Sequence, residues 1–379
     1  MIKEKSSYAS SITYFLMVIL FVTLRMLANY GVLDFLAQNE VVADVVLSCF
    51  IQIGIMFSMS LFAYSLIKKQ KVKTTFKQFG FKKISFKAVL ICILMGFCIF
   101  FINILVSSFF NGIISGLGYE SSNPQVESYP LWQLFVNLII TALLPAICEE
   151  TAHRGMLLSS YKTQGLKTTI LLSGLMFGLM HMNIEQFFYA TLIGFFFGYI
   201  TCKTSSIYPA MIFHFMNNGL SCLFSFASVN EIKWLDFFGF MTNMASTNTF
   251  LYLIFFLTLV AICVFVVQML IPQLMKNTNF KTAENIGKQL AKYKLRAEYF
   301  EGLKNLAGED SKLNKDIDEM LEETSLELEY ELYNVSREQM FEYQIKKTKN
   351  FDKPTKILVI ATICLQAVVT LFTFIWGIF

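Results

Sequence analysis

Cys148-Glu149-Glu150-Thr151-Ala152-His153-Arg154-Gly155 lies inside an apolar segment, 131–161, that is long enough to cross a bilayer. Two adjacent carboxylates, a histidine and an arginine within six residues do not suit a lipid-facing helix. Each charge at the bilayer centre costs about 2.5–3.5 kcal/mol on insertion scales, so intramembrane ionisable groups mark a functional site by default. Two further positions stand out in the same way. His181 ends Phe177-Gly178-Leu179-Met180-His181, and His214 begins His214-Phe215-Met216-Asn217-Asn218. The chain has three histidines, and all three lie in these segments. The fold is therefore read as a scaffold that brings three membrane segments together.

The rest of the chain fits that frame. Of 379 residues, 55% are hydrophobic and 15% charged, and the mean hydropathy is +0.55. Apolar runs of membrane-spanning length recur, which excludes a set of soluble domains. The net charge of +4 is small, and no nucleic-acid partner is expected. The eight cysteines lie in or beside apolar segments with no CxxC pair, so they read as small packing residues. The short basic start, 1–11, has no small-residue cleavage site after it, which predicts a retained first span.

Nine crossings are expected, at about 12–27, 42–67, 88–110, 131–161, 169–183, 187–202, 207–227, 250–270 and 357–379. Arg25 is expected to snorkel from the end of the first. Pro272 is expected to end the eighth. Residues 68–87 carry eight lysines. By the positive-inside rule this loop and the N-terminus are cytoplasmic, and the C-terminus lies outside. Residues 273–355 hold 16 of the 27 acids and 14 of the 31 basic residues, with apolar residues at helical spacing. The expected architecture is an all-α polytopic membrane helix bundle. It comprises an eight-span core (1–272, motifs within 132–220), a charged cytoplasmic helical module (273–355) and a ninth, C-terminal span (356–379). The module reads either as a solvated helical hairpin or as a site for a protein partner.

Residues four apart share a helix face, which places Glu150 over Arg154 in the favourable orientation for an ion pair. Glu149 then points about 100° away, free to face a cavity. His214 and Asn218 share a face of the seventh span, a donor pair suited to a developing oxyanion. Asn217 is expected to point elsewhere. Gly174/Gly178 and Gly194/Gly198 have the spacing that lets helices approach closely. Depth raises a conflict: counted from Trp132, Glu149 lies about 26 Å along its helix at 1.5 Å per residue, near the inner surface. His181 falls nearer the outer side. The two come together if the embedded part of the fourth span is 137–161, with Trp132 as an interfacial anchor.

Glu-Glu-x-x-x-Arg, Phe-x-x-x-His and His-x-x-x-Asn, each on its own span and in this order, resemble the CPBP family of CAAX prenyl endopeptidases and bacteriocin-processing or self-immunity proteins. The resemblance implies a glutamate-dependent intramembrane endopeptidase acting on a membrane-associated peptide or protein. It implies that Glu149 activates water with help from His181, that His214 and Asn218 form the oxyanion hole, and that Glu150 and Arg154 shape the site. His153 departs from the family, which commonly has an aromatic residue there. The implied mechanism uses no metal. The residues also admit zinc on Glu149, His181 and His214 with an open fourth position. Two other classes stay open: a membrane scaffold or regulator without catalysis, and a transporter. A multi-pass protein of the plasma membrane, in contact with lipid, is expected.

Overall fold

A computed structural model describes residues 2–32, 39–120, 128–278, 283–307, 312–322 and 351–376. The described residues form thirteen helices and no strand. These are α1 (Ile2–Asn29), α2 (Val41–Lys68), α3 (Val72–Gln78), α4 (Phe86–Gly116), α5 (Leu131–Ser160), α6 (Leu166–Met180) and α7 (Ile184–Thr204). They continue with α8 (Tyr208–Val229), α9 (Phe237–Thr247), α10 (Thr249–Asn277), α11 (Ala283–Ala307), α12 (312–322) and α13 (Lys353–Trp376). The protein is a multi-pass helical membrane bundle. Several starts are fixed by side-chain caps. Ser85 accepts from the Ala88 N–H, Asn183 from Glu185, and Asn248 from Leu251, each satisfying an N–H that has no partner inside its helix.

Each of the nine expected crossings is a helix. Seven, among the described residues, are long and apolar enough to cross a membrane: α1, α2, α4, α5, α7, α10 and α13. α8 carries His214, Asn217, Asn218 and Ser221, which lower its hydropathy. α6 has 15 residues. At 1.5 Å per residue it extends about 22 Å, less than the hydrocarbon core.

Three expectations are corrected. The fifth span is Leu166–Met180, not 169–183, and His181 caps its C-terminal end. Pro272 does not end the eighth helix, which continues to Asn277 with the proline inside. A proline removes one backbone donor, and in a membrane helix neighbouring groups can absorb that loss. Arg25 does more than snorkel: its Nη1 donates to the carbonyl oxygens of His181 and Met182, at 3.3 and 3.2 Å. It thus caps the C-terminal end of α6, where Met182 turns the chain at φ 47°.

Buried apolar side chains fall into two main clusters. One joins α1, α2, α5, α6 and α13 through Tyr14, Leu61, Met156 and Met176. The other joins α4, α7, α8 and α10 through Met95, Phe197, Phe213 and Val267. α6 and α7 meet across glycines: a Cβ added at Gly174 would lie 2.7 Å from the Phe195 backbone N, and one at Gly194 would lie 2.8 Å from Gly174 Cα. Gly198 is looser, its nearest neighbour 3.5 Å away. The ninth span is packed on the core. Gln366, fully buried, donates to Met180 Sδ, and Thr373 Oγ1 accepts from the Ile184 N–H. Part of the helical module, 279–282, 308–311 and 323–350, lies outside the described residues.

Candidate active site

α5 carries the acidic pair, and its turns are irregular on both sides of it. Wider, π-type turns at Leu138–Leu143 and Thr151–Leu157 flank a regular α-helical stretch, Leu144–Glu150. Pro145 offers no N–H, and the wide turn directly before it accommodates that missing bond. Such turns recur at functional sites because they rotate side chains away from the regular repeat. Here the two glutamates end up in different surroundings.

Glu150 and Arg154 are fully buried and paired: Nη1 donates to Oε1 at 3.0 Å. Arg154 Nη2 reaches the Gly194 carbonyl at 3.1 Å, which the glycine contact between α6 and α7 makes accessible. The guanidinium lies 4.3 Å from the centre of the Phe177 ring and 5.4 Å from that of Phe197, an arrangement that stabilises a desolvated cation. The same carboxylate oxygen accepts from His214 Nδ1 at 2.9 Å. Glu150 therefore anchors two side chains, one from its own helix and one from α8.

Glu149 instead lines a cavity of ≈ 630 Å³. The cavity is walled by α4, α5, α7 and α8, with Phe177 and His181 from the end of α6 and Phe238 of α9. His181, His214 and Asn218 line it with Glu149. Glu149 and His181 meet at one cavity, which removes the depth conflict. A carbonyl oxygen only accepts, so His181 Nδ1, 3.0 Å from the Phe177 carbonyl, carries a proton there. In the neutral ring Nε2 is then an acceptor.

Asn217 lines the same cavity, contrary to expectation. The wall is wide enough to take two neighbours about 100° apart on α8. Asn103 Nδ2 donates to Asn217 Oδ1, Asn217 Nδ2 to Asn218 Oδ1, and Asn218 Nδ2 to the Thr141 carbonyl, at 3.0, 3.0 and 2.9 Å. The relay fixes the Asn218 carboxamide and leaves its second N–H unused.

His153 faces away from the cavity. Its Nδ1 turns back to the Glu149 carbonyl at 2.8 Å, and Nε2 meets Tyr14 Oη at 2.9 Å. The ring packs edge-on against Tyr14 and Phe177, with centroids 5.4 and 5.1 Å apart. It fills the place of an aromatic ring.

Sequence reasoning missed Gln52, whose Nε2 donates to Glu149 Oε1 at 2.8 Å. It also missed Asn103. A signal was present: each is a lone amide within an apolar run, and a polar group in a span is costly unless it has a partner. Among the described residues, no three His, Cys, Asp or Glu side chains are grouped as a metal site.

Residues 131–220 match the family model described as Type II CAAX prenyl endopeptidase Rce1-like. A protein of Bacillus subtilis (strain 168), named provisionally as membrane peptidase YdiL, is 24% identical over 106 residues. That alignment covers 28% of this chain and 43% of the relative's length. No solved structure matches the chain. The matched segment contains the acidic pair, its arginine, both cavity histidines and the asparagine pair, and over that segment the chain is similar to the CPBP, or CAAX protease, family of membrane proteins.

Proposed function

We propose that this membrane protein is an intramembrane endopeptidase that uses Glu149 to activate water against a peptide bond of a membrane-associated peptide or protein. One observation carries the reading. Glu149, His181, His214 and Asn218 line one cavity, whereas Glu150 and Arg154 are buried against each other.

The chemistry follows from the free atoms. A water held between the Glu149 carboxylate and His181 Nε2 gives its proton to Glu149 and attacks the carbonyl carbon. Charge develops on the carbonyl oxygen, where His214 Nε2–H and the unused Asn218 N–H donate. Because Nδ1–H is engaged by Glu150, donation from Nε2 uses the doubly protonated ring, whose charge lies 2.9 Å from that carboxylate. The tetrahedral intermediate then collapses, the C–N bond breaks, and Glu149 returns the proton to the leaving amine. Glu150 and Arg154 cancel each other's charge, which lowers the cost of holding the pair inside a membrane.

The lysine-rich loop at 68–87 supports placing that loop and the N-terminus in the cytoplasm of a plasma membrane, with 273–355 as a cytoplasmic module. Comparative peptidomics of cells carrying the native protein or Glu149→Ala identifies the substrate. With that peptide and purified protein in liposomes, Glu149→Gln should lower turnover about 10²–10⁴-fold and leave folding unchanged. Full activity of Glu149→Gln sinks the reading. Loss of activity in a chelator, restored by zinc, would replace it with a zinc hydrolase on Glu149, His181 and His214.

A further inference from the structure

Glu149 is held from a helix outside the matched segment. Gln52 sits on α2 in Phe50-Ile51-Gln52-Ile53, is 8% exposed, and donates from Nε2 to Glu149 Oε1 at 2.8 Å. Its own carbonyl oxygen is buried without a hydrogen-bond partner. An ionised carboxylate only accepts, so the amide must turn its NH₂ to Glu149 and its oxygen the other way. Helix packing does not account for this residue. An apolar side chain of similar shape would fill the space and leave no acceptor unpaired. The bond to Glu149 is what the amide contributes. Gln52 is not among the residues lining the cavity, so it lies behind the carboxylate and not beside a substrate.

We propose that Gln52 is the positioning residue for Glu149. It fixes one carboxylate oxygen against the wall and so presents the other to the cavity. A glutamate has three side-chain torsions, and misplacement of a reacting group by about 1 Å costs about 10²-fold in rate. The inference rests on Glu149 acting as the base.

The test uses the full chain in liposomes and a quenched fluorogenic peptide bearing a prenylated C-terminal cysteine motif. Gln52→Met keeps length and removes the donor, so kcat should fall about 10²-fold with KM and thermal midpoint unchanged. Gln52→Glu donates only while it carries a proton. It should therefore lose turnover on the alkaline side, where the native protein and Gln52→Met hold theirs. An isotope-edited infrared difference spectrum, native minus Glu149→Gln, reads the Glu149 carboxylate band without any substrate, and Gln52→Met should shift that band. An unshifted band, or a native kcat in Gln52→Met, overturns the proposal. So does a fall in kcat matched by a fall in thermal midpoint with no new pH dependence in Gln52→Glu. A fully active Glu149→Gln defeats the reading of the base itself. An inactive Glu149→Gln beside a fully active Gln52→Met defeats only the positioning role.

Discussion

Removing Arg154 tests the claim that Glu150 and Arg154 organise the site without reacting. Among the described residues, Arg154 is the largest fully buried side chain. In Arg154→Ala, Glu150 keeps only the His214 contact, and the Gly194 carbonyl and the Phe177 and Phe197 faces lose their cation. Breaking a buried pair on one side costs about 3–5 kcal/mol, or about 10²–10⁴ in the folded ratio. Glu150→Ala should cost at least as much, because it strands Arg154 and His214 together. Replacing both members with methionine removes the uncompensated charges and should recover part of the loss. Recovery should be incomplete, because His214 still lacks its acceptor. Equilibrium unfolding in mixed SDS–detergent micelles, run as a double-mutant cycle, measures these terms. Glu149→Ala should not follow the pattern, since its carboxylate faces the cavity. If Arg154→Ala kept native stability yet lost all turnover, the structural role would be refuted, and direct contact between Arg154 and substrate would take its place.

Gly178→Ala should destabilise by about 1–3 kcal/mol, because the new Cβ would collide with Thr191 Oγ1 and sit 2.8 Å from the Phe187 carbonyl; Gly198→Ala, with open contacts, should be near neutral in the same unfolding assay. Single cysteines placed in 68–87 or 273–355 of a cysteine-free variant should resist a membrane-impermeant thiol reagent in intact cells and react after lysis. Labelling of either segment from outside would invert the topology.

Reading the sequence was enough wherever the determining interactions are local. Apolar length specifies a span, and the i to i+4 spacing of Glu150 and Arg154 specifies a pair, because both depend on neighbours along one helix. The three motif segments were legible for the same reason: an ionisable group in an apolar run is costly wherever the helix packs. What the tertiary structure decided depends on contacts between distant residues. Gln52 meets Glu149 across 97 positions, and His214 meets Glu150 across 64. No spacing rule encodes such pairs. That Glu149 and His181 line one cavity is also a matter of how α5 and α6 pack. The place of His153 was likewise hidden, since an imidazole can face a cavity or pack as an aromatic. Only the positions of Tyr14 and Phe177 around it settle that it packs.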